Sequence, residues 1–336
     1  MDTHIVFVGL SGYDYPHTRV RCYNFAEQLG KHPGFKTSVM TMKDTFSNFT
    51  EEEIYCARDK DKLIMLAKML PRVFPRLNTI FYIQKAHYNS AWPYFLSRLG
   101  FNKFIFDYDD YDVELNVTFN KPIFRKFFYG AVDDKIITDN LARRALGCVA
   151  ASHSLQDYVS QFNDRVEYVP TGVRLDRFEH TDRSNRDGPV RFIWTGIVWG
   201  DEIYNSVIRA FKGMRAVKEA GLEARLELVG GGGWWDKMTG TLSSEYSDVT
   251  DMIEVTGWTH PDTMPKLLAK ADVGLLPFSQ DSMWVRSKSP TKMYEYMATG
   301  LPVIADAIGE VRYVVEHEKS GILATDQETF NQAMIQ

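Results

Sequence analysis

Cysteine is scarce in this chain of 336 residues, and the three that occur, Cys22, Cys56 and Cys148, stand at no paired spacing. That excludes a disulfide framework and a Cys-x-x-Cys zinc or redox site, and it fits a reducing compartment with buried structural thiols. No run of about 18 apolar residues is present, so no transmembrane helix is expected. The sequence passes from Met1 directly into a strand pattern, so no secretory leader is expected and a cytoplasmic location follows. The sequons Asn48-Phe49-Thr50 and Asn116-Val117-Thr118 then read as chance matches. A strong charge of one sign is also missing. The formal net charge of -5 argues against a general nucleic-acid binder while leaving room for a local basic face. The first glycine loop, Gly9-Leu10-Ser11-Gly12, lacks the full Gly-x-Gly-x-x-Gly fingerprint. No acid ends the next strand pattern before Asp44, which disfavours a dinucleotide cofactor.

What is present is material for a large core. Hydrophobic residues make up 44% of the chain and aromatics 13%, enough for two domains of about 150 residues each. Strand patterns at residues 4–8, 36–40, 79–83, 103–106, 147–151 and 165–169 alternate with helical periodicity at 18–29, 62–70 and 92–99. A polar stretch rich in Arg and Asp ends at Gly188-Pro189, and the alternation restarts. Strands are predicted at 190–194, 224–229, 251–256, 272–276 and 301–306, with helices at 204–220 and 264–271. This predicts an α/β fold of two Rossmann-like, doubly wound domains facing a cleft, with ligands at the strand C-termini. The expected domains are 1–175 and 190–336, joined by a linker at 176–189.

The most informative stretch runs Ser289-Pro290-Thr291-Lys292-Met293-Tyr294-Glu295-Tyr296-Met297-Ala298-Thr299-Gly300-Leu301-Pro302-Val303-Ile304. Ser289 is a good N-cap and Pro290 suits the first turn, so a helix is predicted from about 290 to 299, stopping at Gly300. First-turn N–H groups left without partners favour an anion at the helix mouth, with Lys292 beside them and Glu295 one turn deeper. A diphosphate at the mouth and a hydroxyl pair near Glu295 would describe a nucleotide with its ribose. An ordinary surface helix with a Lys/Glu pair is the alternative.

These residues resemble the donor-site motif of family 4 glycosyltransferases with the GT-B fold, and the resemblance extends more weakly over most of the chain. It implies that Glu295 binds the ribose hydroxyls of a nucleotide sugar. It departs from the family at Ser287, where a second glutamate is usual, and Arg286 and Lys288 flank that position. Relatives also carry an arginine and a lysine after the strand ending at Thr195-Gly196. Here Ile197, Val198, Trp199, Gly200, Asp201 and Glu202 follow instead, so Arg286, Lys288 and Lys292 are the candidates to neutralise a diphosphate. GT-B chains end in a long returning helix that this sequence does not reach, so the expectation is either a second domain truncated at its end or one that lacks the closing helix.

Other candidates follow the strand ends. Gly12 in the first loop allows close backbone approach to a pyrophosphate or an acceptor and is counted with the donor-binding residues. The resemblance implies that an arginine such as Arg19, the acceptor candidate, or Arg21 faces the cleft, with a solvated pair the alternative. Asp107, Asp109, Asp110 and Asp112 crowd four carboxylates after one strand, a repulsion a merely structural loop has little reason to accept. An Asp-x-Asp cation site is one reading. The preferred one has Asp107 where relatives carry a catalytic-site histidine, with Asp109 and Asp110 orienting an acceptor hydroxyl or taking its proton; an Asp-rich capping turn is the alternative. Gly196 and Gly231 can lie against the diphosphate, and Trp258 either stacks on the base or is a core residue. Arg286, Ser289, Thr291 and Lys292 complete the donor set. Basic and aromatic residues interleave at 68–76 and 121–128, which reads either as peripheral contact with an anionic bilayer or as core helices with solvated lysines.

The expected activity is transfer of a sugar from a UDP- or GDP-type nucleotide sugar to a glycan or lipid-linked acceptor hydroxyl, in cell-surface glycan or glycolipid assembly. The family implies retention of anomeric configuration. No tightly bound cofactor and no metal requirement are expected. A catalytically silent nucleotide-sugar-binding subunit and a nucleotide-sugar epimerase are the alternatives.

Overall fold

The computed structural model describes residues 2–44, 46–74, 78–111, 113, 118–183 and 187–336, with the side chains of 51 and 52 left out. Asp112, Pro75, Arg76, two residues of the second sequon (Asn116 and Val117) and linker residues 184–186 lie outside the described residues. The chain divides into two units, Met1–Thr171 with Ser287–Ser289, and Gly172–Arg286 with Pro290–Gln336.

In the first unit β1 (Thr3–Val8), β2 (Phe35–Met40), β3 (Thr79–Gln84), β4 (Lys103–Tyr108), β5 (Cys148–Ala150) and β6 (Val166–Tyr168) form one parallel sheet, ordered β2-β1-β3-β4-β5-β6. Successive side chains of a strand leave opposite faces, and the sequence fills both. Val6 and Val8 pack with Phe81, Phe104 and Phe106 on one face, while Ile5 and Phe7 pack with Tyr82 on the other. A sheet apolar on both faces must be covered by helices on both. The helix after β1 is not regular: a π-helical turn at Arg19–Asn24 interrupts it and buries Arg19, Val20, Arg21 and Cys22 together. A plain 3.6-residue stripe would have left at least one arginine in solvent, and π turns concentrate at functional positions.

The second unit repeats the plan with β7 (Val190–Ile197), β8 (Ala224–Gly231), β9 (Ile253–Thr256), β10 (Val273–Leu276), β11 (Val303–Asp306) and β12 (Gly321–Ala324), ordered β12-β11-β10-β7-β8-β9. The strand order reverses at β7 and β10, the place where doubly wound sheets open a crevice for ligand. Phe192, Trp194 and Leu228 face one core layer, and Ile193, Val229 and Leu276 face the other. β12 escapes the sequence pattern because its four residues lie among Gly and Ser with no alternation. Gly196, Gly230 and Gly231 lie within β7 and β8 rather than after them. Among the described residues no helix is long and apolar enough to cross a membrane, and the cysteines are free.

Candidate functional site

Each unit carries a polar cluster at the C-terminal ends of its central strands. In the second unit it forms around β7, β8 and the helix Thr291–Ala298. The Lys292 Nζ lies 4.3 Å from the Trp194 ring centroid, and a Cβ built on Gly196 would meet that Nζ at 2.8 Å. The same Cβ would meet the Trp194 ring at 2.8 Å, so glycine at 196 leaves the space that the indole and the ammonium occupy. The glycine run of β8 serves the same close approach. Gly230 has φ 156° and a Cβ there would fall 1.8 Å from the Gly196 carbonyl oxygen, while Gly232 has φ 115° and would strike the Val198 oxygen at 2.5 Å.

Tyr296 fixes the helix against this sheet. Its hydroxyl accepts the Thr195 N–H at 3.0 Å, and burial pushes its pKa well up. Gly274 of β10 leaves the space its ring occupies. With Tyr296 directed inward, Lys292 and Glu295 follow one flank of the helix, one turn apart. The first residue is Thr291 and the cap is Pro290, whose ring makes no side-chain cap bond. Gly300, with φ 73°, ends the helix through Leu301 N–H to Tyr296 oxygen at 2.9 Å.

One local expectation is revised, and one donor candidate has an ion-pair partner of its own. Ser289 does not cap this helix: it groups with the first unit, where its hydroxyl accepts the Thr171 N–H at 2.9 Å, because the fixed φ of Pro290 already shapes the entry. The guanidinium of Arg286 is taken by Asp281 through bonds of 2.6 and 2.7 Å. Trp258 is exposed rather than a core residue, its Cβ 3.6 Å from the Cβ position of Gly231. Trp199, also exposed, lies beside Gly233 in the same way. β11 ends at Asp306, which accepts the Phe278 N–H at 2.7 Å and pairs with Arg209 at 2.6 Å. Burial outweighs that arginine and raises the Asp306 carboxyl to about 6.

The cluster of the first unit gathers at the ends of β1, β3 and β4. Register sets Gln84 opposite Asp107. The Nε–Nη2 edge of the Arg21 guanidinium grips Asp107 at 2.9 and 2.5 Å, and its Nη1 donates to the Val169 oxygen at 2.7 Å. Both side chains are buried. Burial raises the Asp107 carboxyl and Arg21 opposes it. Asp107, which the sequence places where relatives carry a catalytic-site histidine, is buried with both oxygens engaged by Arg21. Asp109 accepts from the Gln84 amide at 2.9 Å and lies 3.6 Å from the Lys85 ammonium. Burial alone acts to raise its carboxyl, yet Lys85, His17, Arg21 and Gln84 together hold it below the ordinary range. Asp110 is raised by burial against the pull of Lys85 and Lys288, and its Oδ1 is buried without a hydrogen-bond partner.

Lys85 reaches this cluster from a left-handed backbone, φ 61°, and such strain in a non-glycine residue concentrates at functional sites. Sequence inspection misses Gln84, Lys85 and His17, because nothing in a strand pattern marks which polar residues end at the same edge. His17 is driven to a pKa of about 3, first by burial and then by Lys85. Arg19 is buried and donates to the Asp14 carbonyl at 3.2 Å. Gly12 stands where a Cβ would meet the Lys43 side chain at 2.8 Å. No group of three or more His, Cys, Asp or Glu among the described residues could hold a metal ion.

Comparison with known proteins fits this geometry. Residues 191–336 match the family model described as glycosyl transferases group 1. A relative in Escherichia coli (strain K12), WcaL, assigned as a colanic acid biosynthesis glycosyltransferase, is 29% identical over 119 residues. That alignment covers 35% of this chain and only 29% of the relative. The sucrose-phosphate synthase of Thermosynechococcus elongatus shares the fold with a TM-score of 0.68 at 14% identity, over 99% of this chain and 88% of that one. Anabaena Alr3699/HepE, solved with UDP and glucose, gives 0.64 at 13% identity over 99% and 89%. The two-unit α/β architecture is therefore that of GT-B glycosyltransferases.

Proposed function

We propose that the chain is a retaining glycosyltransferase of hexosyl type. The second unit binds a UDP- or GDP-type nucleotide sugar and the first unit binds a glycan or lipid-linked acceptor, in cell-surface glycan assembly on the cytoplasmic side of a membrane. The observation that carries the reading is the approach of Lys292 to Gly196 where the strand order reverses, in the stretch matched by the group 1 glycosyl transferase model and beside the N-terminus of the helix Thr291–Ala298. Phosphoryl oxygens there would meet an ammonium and first-turn N–H groups, and Glu295 one turn on would accept ribose hydroxyls. The UDP bound by Anabaena Alr3699/HepE supports that ligand class.

As the glycosidic bond breaks, the bonding pair stays with the leaving diphosphate. Lys292 and the N–H groups stabilise the charge that develops, and so bind the transition state more tightly than the ground state. Gly196 and Gly231 admit the diphosphate, Thr291 adds a first-turn N–H, and Trp258 offers a face to the base. In the first unit the Asp110 carboxylate accepts a hydrogen bond from the acceptor hydroxyl, whose oxygen bonds to the anomeric carbon while its proton passes to a phosphate oxygen of the leaving diphosphate. Asp109 stays ionised beside it, and Asp107 positions Arg21 and the loop rather than touching substrate. Arg19 and Gly12 shape the acceptor pocket. The donor-site departures at Ser287 and 197–202, with Arg286 held by Asp281, favour a silent nucleotide-sugar-binding subunit as the second reading.

The test is release of nucleotide from UDP- and GDP-sugars, with and without glycan and lipid-linked acceptors. Release that requires an acceptor and moves the sugar onto it supports a transferase. Binding without release supports the silent subunit, and release without acceptor supports an epimerase-like reaction.

A further inference from the structure

Large apolar side chains stand in solvent on three neighbouring stretches of the first unit. Ile123 and Phe127 project from the helix Pro122–Tyr129, Leu99 and Phe101 from the turn after the helix Ala91–Arg98, and Phe74 from the end of the helix Asp59–Val73. Ile123 is 70% exposed, Phe74 64% and Phe101 62%. The stretches are tied side by side. Arg98 Nη1 donates to the Phe127 and Phe128 carbonyls at 3.1 Å, Phe95 stacks on Phe127 with centroids 5.0 Å apart, and the Asn102 amide donates to the Val73 oxygen at 3.2 Å.

The helix Pro122–Tyr129 needs none of its exposed side chains for the core. Phe124, Phe128 and Tyr129 pack inward, while Ile123 and Phe127, four residues apart, share the outer face with exposed Lys126. Several water-facing rings on adjoining stretches mark an interaction surface. Its charge indicates the partner. Residues 62–74, 98–106 and 118–132 contain no Asp or Glu, in a chain whose net charge is -5, and Arg72, Arg98, Lys103, Lys121 and Lys126 are all exposed.

We propose that this face docks on an anionic lipid bilayer, the apolar tips entering the headgroup boundary while the lysines and arginines meet lipid phosphates. A second copy of the chain is a poor occupant, because a symmetric contact would bring like charges together. The surface deepens the membrane-side reading given above, but vesicle binding needs no catalysis, so failure of docking and failure of the transferase reading are separate results.

The test is sedimentation of the full chain with vesicles of phosphatidylcholine containing about 30% phosphatidylglycerol, against pure phosphatidylcholine. Expected is selective binding to the anionic vesicles, weakened by salt. The double variant Ile123→Ser/Phe101→Ser should reduce binding at least about tenfold with its thermal melt and UDP binding unchanged. Lys121→Glu/Lys126→Glu, on solvent-facing side chains, should do the same and keeps the test open if the apolar variant misfolds. Equal or absent binding to the two vesicle types, or wild-type binding by both variants, overturns the proposal. So does a solution dimer dispersed by the same substitutions.

Discussion

Lys292 holds its ammonium 4.3 Å from the centroid of Trp194, nearly a hundred residues away in sequence. The indole is buried, so the cation rests on a fixed π-face. The charge is thereby positioned over the end of β7 before any ligand arrives. Lys292→Met should therefore lower kcat by about 100- to 1000-fold, the loss typical of one electrostatic contact to a leaving group, with little change in the unfolding midpoint. Lys292→Arg should restore part of the rate. Steady-state kinetics beside a thermal melt separates the two effects.

The Arg21–Asp107 pair makes a prediction of the opposite kind. Both partners are buried, so removing one strands the other, at a cost of about 3–5 kcal/mol. Asp107→Asn should show as a large fall in urea midpoint. The paired change Arg21→Met/Asp107→Leu should recover much of that loss. If Asp107 were an exposed catalytic acid, the single variant would be inactive but normally stable.

Asp110 is raised by burial and has an unpartnered oxygen. Its protonation should set the acidic limb of the rate profile above the ordinary carboxylate range, with activity rising as pH rises through that limb. In Asp110→Asn the limb should disappear and the residual rate should be flat there. A pH series of kcat/KM on both proteins checks this.

Asp306 gives a stability signature. Its folded pKa, about 6, lies above the unfolded value, so between roughly pH 4 and 6 the folded state binds more protons than the unfolded state. Stability from this group is present below that window and is lost as pH rises through it. Relative to Asp306→Asn, wild type should lose about 2 kcal/mol between pH 4.5 and 7. Urea titrations at the two pH values measure the difference.

The expectations that held rest on local signals. Apolar strand runs such as Ile5 to Val8 and the Gly300-Leu301-Pro302 exit follow from periodicity and glycine stereochemistry, which neighbours in sequence determine. Both six-stranded sheets were legible in that way, apart from β12, whose four residues lack alternation. Side-chain partnership across strands was not legible. That Arg21 would reach Asp107 depends on a π-helical turn and on the register of β3 with β4. That Arg286 would turn to Asp281 depends on a short helix at Met283–Arg286. Ser289 looked like a cap because the local pattern is right for one, and a tertiary hydrogen bond from Thr171 takes its oxygen instead.

The central claim is that the helix carrying Lys292 and Glu295 binds a nucleoside diphosphate. Calorimetric titration of UDP and GDP into wild type and Glu295→Ala tests it most directly. The account predicts selective binding of one nucleotide by wild type, weakened about tenfold to a hundredfold in the variant as charge-assisted hydrogen bonds to ribose are lost. Equal affinity in the two proteins, or no binding of either nucleotide by wild type, would contradict it.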